Sequence, residues 1–286
     1  MQRIAEEARV QIQGFDTGRM DSGIDLASES SIPVEKPNVA LMVDSPFSSY
    51  TAGQIWFLFD QWTDFGISRI RSDALDNIDL QEYDVLVLPG ARGGYSSVLD
   101  STMMDRLKDW VQRGGTLVAT EDAAEFVTKG ASGFTKVEMV KEETEENGEE
   151  KIDPEAFTPY TAREDICGIE TRNCPGRLFK GHIDITNPVA FGIPERIYSL
   201  KFSDEALKPS PDWQLVGYYD KDPQSVMAAG YASEANREQA AGNGFAGVQE
   251  MGEGKVIFLL DNTQYRMFWV GPARMMQNAV MLLHDM

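Results

Sequence analysis

Cysteine and histidine are scarce in this 286-residue chain, which has only Cys167, Cys174, His182 and His284. A zinc site takes three or four ligands mostly from such residues, at spacings such as His-x-x-Glu or paired Cys and His. Neither histidine stands in a cluster of that kind, so no metal site is expected. Basic residues are few as well, with 26 Lys and Arg against 46 Asp and Glu, leaving a net charge of −20. Such a surface repels phosphate backbones and anionic membranes, so nucleic acid is excluded as an expected partner. Long apolar runs are missing too: nothing approaches the ~20 residues that a membrane helix requires, and no membrane span is expected. The first seven residues also lack the apolar core of a signal peptide. That last absence leaves the compartment open, because a piece of a longer exported protein would lack its leader as well.

What is present is enough for a core, at 42% hydrophobic and 10% aromatic residues. Residues 83–88 and 116–120 are unbroken runs rich in leucine and β-branched residues, the pattern of strands buried on both faces of a parallel sheet. Between them Met103, Met104, Leu107, Trp110 and Val111 recur at helical spacing. The three together predict a right-handed βαβ unit. A first strand is expected over 39–44, a helix from about Thr51 with Ile55, Trp56, Leu58, Phe59 and Trp62 on its buried side, and a second strand over 67–71. After the fourth strand come runs that read as strands at 178–185, 198–202, 215–219, 226–230, 244–249 and 256–260. The last helix is expected over 272–286, with Pro272 in its first turn.

The domain reading is a lead-in or linker over 1–37, then one domain over 38–286 carrying an acidic insertion near 134–165. Its Glu-rich part reads as a solvated loop or hairpin tip. Cys167 and Cys174 lie in this region, and from spacing alone they are either a disulfide in an oxidising compartment or two free thiols.

In an open parallel sheet, ligands bind outside the carboxyl ends of the strands. The candidate ligand-binding residues are therefore Arg92, Glu121, Asp122, Asp261 and Asn262, with Asp44 and Ser45 also at a strand end. Residues 90–94, Gly-Ala-Arg-Gly-Gly, match a phosphate loop only loosely and read mainly as a turn, although Arg92 is able to hold an anion. At 120–124, Thr-Glu-Asp-Ala-Ala, a nucleophile elbow would need Cys or Ser where Glu121 stands and glycine where Ala123 stands. A covalent mechanism is not expected there, and the two carboxylates read as caps of the next helix. His182 reads as structural, inside a strand, and His284 as a partner of the last helix's carbonyl end.

The run of strands and the elbow over 114–126 resemble the class I glutamine amidotransferase-like fold, a flavodoxin-like three-layer α/β sandwich. More closely, the chain resembles the C-terminal region of large bacterial zinc carboxypeptidases of the carboxypeptidase A type. The resemblance rests on residues 39–41 with 50–56, then 83–90, 110–124, 187–193 and 252–256, and finally 265–269 with Asn278 and Ala279. It implies that this chain is a non-catalytic accessory domain. The zinc and the peptidase domain would lie N-terminal in the same polypeptide, with no catalytic residue or cofactor in this chain. It also implies a periplasmic or extracellular location, which favours a Cys167–Cys174 disulfide. Two other readings stay open: a free-standing carbohydrate- or anion-binding module, and a hydrolase using Glu121 and Asp122 as acid and base.

Overall fold

The computed structural model describes residues 2–26, 28–29, 33–91, 93–140 and 176–285. Arg92, Cys167 and Cys174 lie outside the described residues, as does most of the expected acidic insertion. By contacts the chain divides into Met1–Glu35 with Asp285–Met286, and Lys36–His284. The first unit opens with helix α1 (Gln2–Ala8), where Arg3 and Glu7 pair one turn apart at 3.2 Å. Its Glu35 amide donates to the Asp285 carboxylate at 2.6 Å.

Among the described residues the second unit is built on one ten-stranded sheet. Strands β1 (Val39–Met42), β2 (Ser68–Ile70), β3 (Val85–Leu88) and β4 (Thr116–Thr120) are joined by parallel pairing. Strand β10 (Gly254–Leu259) adds to β4, also in parallel. The remaining strands are β5 (Arg177–Ile183), β6 (Arg196–Lys201), β7 (Gln214–Tyr219), β8 (Met227–Ala229) and β9 (Gly244–Met251). They extend the sheet by antiparallel pairing, giving the order β2-β1-β3-β4-β10-β9-β7-β5-β6 with β8 beside β5. Strand order reverses at β1, whose neighbours are β2 on one side and β3 on the other, so the switch point lies between β1 and β3.

Alternation of side chains sends each parallel strand's apolar residues to both faces, and each face is roofed by helices. Val39, Leu41, Val85, Val87, Val118, Ile257 and Leu259 share one core with α2 (Ser49–Phe57) and α6 (Val270–Met281). Ala40, Met42, Leu86, Leu88, Leu117, Ala119, Val256 and Phe258 share the other with α3 (Ser101–Gln112) and α4 (Asp122–Phe126). This is a three-layer sandwich. Helix α2 is capped by Ser48, whose side chain accepts from the Thr51 amide, and it runs on as a π-helical turn over Leu58–Trp62. Helix α3 is capped by Asp100, which accepts from the Met103 amide at 2.9 Å. Asp100→Ala removes that acceptor and is expected to cost about 1 kcal/mol, read as a lowered midpoint in denaturant unfolding with unchanged slope.

Three expectations need correction. Trp56 and Trp62 do not lie on the buried side of the helix with Ile55, Leu58 and Phe59: Trp56 is 37% exposed with the Arg69 guanidinium over its ring at 4.5 Å, and Trp62, at the end of the π-helical turn, is 44% exposed. The last helix starts two residues earlier than expected and ends at Met281, followed by a separate 3-10 turn over Leu283–Asp285. Finally, a helix, α5 (Glu234–Ala240), stands between β8 and β9 where none was expected. Its signal was Ser233, whose side chain caps it by accepting from the Asn236 amide.

Candidate functional site

The carboxyl ends of β3, β4 and β10 open into one concavity of about 440 Å³. It is lined by Gly90, Glu121, Asp122 and Glu125, by Asp261 and Asn262, and by Phe202 and Glu205 from the segment after β6. Four of the five candidates from sequence therefore meet in one place.

Glu121 follows β4 directly. Its amide still donates to the Leu259 carbonyl at 2.9 Å, while φ 52° and ψ −132° turn the chain sharply into α4. Positive φ is uncommon for a residue with a side chain and is held only where the surroundings impose it. Here the last β4–β10 bond and the start of α4 impose it. The turn thus forms without the neighbouring glycine that an elbow is expected to need. Glycine instead matters on the next strand: a Cβ on Gly90 would lie 2.5 Å from the Glu121 carboxylate and 2.9 Å from that of Asp122. The bare backbone of Gly90 is what lets both carboxylates sit over the end of β3.

Glu121 does not cap α4 with its side chain, contrary to the expectation from sequence. Its Oε2 accepts from the Thr51 hydroxyl at 2.7 Å and its Oε1 from the Asn262 amide at 3.0 Å. The same amide nitrogen reaches Gln54 at 3.1 Å. Asp122 is turned the other way and accepts from the Ala91 amide at 2.7 Å, tying α4 to the loop after β3. Burial pushes the Glu121 acid above its ordinary range. The bonds from Thr51 and Asn262 oppose that rise, and the negative charges of Asp122 and Asp261 add to it. Burial likewise raises Asp122 and, with Glu205 and Asp122 as neighbours, Glu125. Burial and the Asp122 charge keep the Tyr95 phenol protonated beside them.

Asp261 forms the deeper wall. Its Oδ2 accepts from the hydroxyls of Ser199 and Tyr219, and its Oδ1 lies 3.7 Å from the Lys201 ammonium. Lys201 is fully buried and also donates to the Glu205 carbonyl. Burial pulls its ammonium below the ordinary lysine range. Arg177, equally buried, donates to the Ser203 carbonyl at 2.7 Å. Neither cation lines the concavity, Arg177 keeps its Nε and Nη1 without a hydrogen-bond partner, and the ionisable residues among the described ones that do line it are all acidic.

Other residues singled out from sequence lie elsewhere. Asp44 binds the amide and hydroxyl of Ser72 at 2.7 and 2.8 Å, so it secures the chain after β2. His182 sits on the antiparallel part of the sheet, stacked on Tyr218 and 3.9 Å from Asp220. His284 lies in the 3-10 turn after α6. Neither histidine lines the concavity. Among the described residues no group of three or more His, Cys, Asp or Glu is placed to hold a metal ion. No described helix is long and apolar enough to cross a membrane.

Sequence reasoning missed Thr51, Gln54, Lys201, Glu205 and Tyr219. Thr51 and Gln54 carried a usable signal, since the first two turns of a helix after a parallel strand sit beside the strand end. Lys201 carried none, because a lysine in a strand-like run reads as solvent-facing.

No family model matches the chain, and no curated protein does. Among solved structures it is similar to a ThuA-like protein from Parabacteroides merdae, with a TM-score of 0.56 and 12% identity, over 87% of this chain and 90% of that one. It is also similar to a protein from Thermoplasma acidophilum described as a GMP synthase subunit, with a TM-score of 0.50 and 10% identity, over 86% and 94%. Identities this low speak to the fold alone. The fold is the class I glutamine amidotransferase-like, flavodoxin-like three-layer sandwich, with antiparallel strands added beyond β10.

Proposed function

We propose that this chain is a non-catalytic binding domain, and that it serves as an accessory domain of an exported bacterial zinc metallocarboxypeptidase. Its peptidase domain, which holds the zinc, would precede it in the same polypeptide, in the periplasm or outside the cell. The accessory role is supported by the resemblance spread over residues 39–279. The binding role is carried by one observation: the elbow presents Glu121, with both carboxylate oxygens held by Thr51 and Asn262. Amide hydrolysis through a thioester requires a thiolate at that position, which a carboxylate cannot replace. Hydrolysis by a metal-bound water requires a ligand set, and none is gathered among the described residues.

The test is to assay the purified chain for carboxypeptidase and glutaminase activity beside Glu121→Ala. Neither activity is expected. Turnover that disappears in the variant would make Glu121 an acid or base and replace the binding reading with the paired-carboxylate hydrolase. The accessory role has its own check. A His-x-x-Glu signature is expected upstream in the encoding gene, and its absence would remove that role while leaving the binding site.

A further inference from the structure

We propose that the concavity binds a ligand through an organic ammonium group, an inference that rests on the binding reading above. Glu121, Asp122, Glu125 and Glu205 line it, and none has an ion-pair partner among the described residues. Carboxylates left so close together and partly out of water lack a counter-charge, which a cationic ligand would supply.

The second observation is independent of charge. Asn262 is 5% exposed and its Oδ1 has no hydrogen-bond partner, although it lines the site. Its amide cannot be turned to cure this, because the Nδ2 end faces two acceptors, Glu121 and Gln54. Asp261 is 3% exposed, and its Oδ1 likewise accepts no hydrogen bond. Buried acceptors are seldom left unmet, so the site calls for a donor from outside the chain.

A metal ion does not answer, since the described carboxylates do not converge on one point. A neutral polyol would meet the acceptors and leave the charges. An ammonium group provides three donors and one positive charge. Phe202 also lines the concavity, and aromatic rings attract cations. The volume suits a small molecule, such as an amino sugar or the amino end of a peptide.

Titration calorimetry at neutral pH decides it, using glucosamine against glucose and N-acetylglucosamine, and trialanine with a free against an acetylated amino end. At least one charged probe should bind about tenfold or more tightly than its neutral counterparts, as charge-assisted bonds exceed neutral ones. The pair that responds identifies the source of the ammonium. Asn262→Ala and the more peripheral Glu205→Gln should each weaken the charged probe, with folding confirmed by melting curves. Equal affinity for charged and neutral probes, or no binding by any of them, would overturn the proposal. Binding of glucose as tight as glucosamine would leave a polyol site and the binding reading intact. Turnover of a probe would instead count against the non-catalytic reading.

Discussion

Asp261→Ala should unfold at a much lower denaturant concentration than the parent chain, with a loss of about 3–5 kcal/mol. The reason is Lys201. Both side chains of the pair are 1% exposed, and the ammonium lies 3.7 Å from Asp261 Oδ1. Removing the carboxylate leaves a buried cation whose remaining bond, to the Glu205 carbonyl, carries no full charge. It also strips the acceptor from the Ser199 and Tyr219 hydroxyls. The double variant Asp261→Ala/Lys201→Met separates these causes, because it removes both charges and fills part of the space. Most of the loss should return in it, as buried pairs are often replaceable by apolar groups although single partners are not. A loss under about 1 kcal/mol in Asp261→Ala would show that water reaches Lys201 and that the wall is not dry.

The parallel half of the sheet was legible because burial on both faces leaves continuous apolar runs, as at Val85–Leu88 and Thr116–Thr120. The strand-end rule then located Glu121, Asp122, Asp261 and Asn262 without any knowledge of their contacts. The order of the antiparallel strands was not legible. β9 crosses to pair with β7, and β5 takes both β6 and β7, choices made by long-range packing instead of local pattern. The deep wall stayed hidden for the same reason. Lys201 is tolerable inside only because Asp261, sixty residues later, comes to meet it. The elbow misled in a different way: Glu121 looked like a helix cap because local sequence cannot reveal Thr51 and Asn262 as its partners. Its backbone strain is likewise a product of the sheet, where β4 and β10 hold their register up to Leu259 and Thr120.

Glu121→Gln is expected to flatten the pH dependence of stability, melting close to the parent near pH 4 and above it near pH 8. Burial is the main cause of the raised acid at Glu121, with Asp122 and Asp261 adding and the two hydrogen bonds opposing. A carboxyl raised by folding keeps its proton longer in the folded chain than in the unfolded one, whose value is the ordinary 4.5. Below that value both states are protonated and the contribution is fully present. Above it the unfolded chain releases its proton first, so stability declines as pH rises through the raised folded value. Glutamine keeps an acceptor for Asn262 and a donor for Thr51 but has no charge to bury, so its curve should lack this decline. Asp122 and Glu125 are raised as well and leave a residual slope of the same sign, whereas Asp44 and Glu138 are lowered and lean the other way. The side chains of the latter two are 40% and 44% exposed, so solvent screening keeps their share small. Melting curves of the two proteins across this range supply the measurement. Parallel curves would mean that Glu121 is ionised in the folded chain as readily as in the unfolded one, which is incompatible with a carboxylate partly withdrawn from water between Thr51 and Asn262.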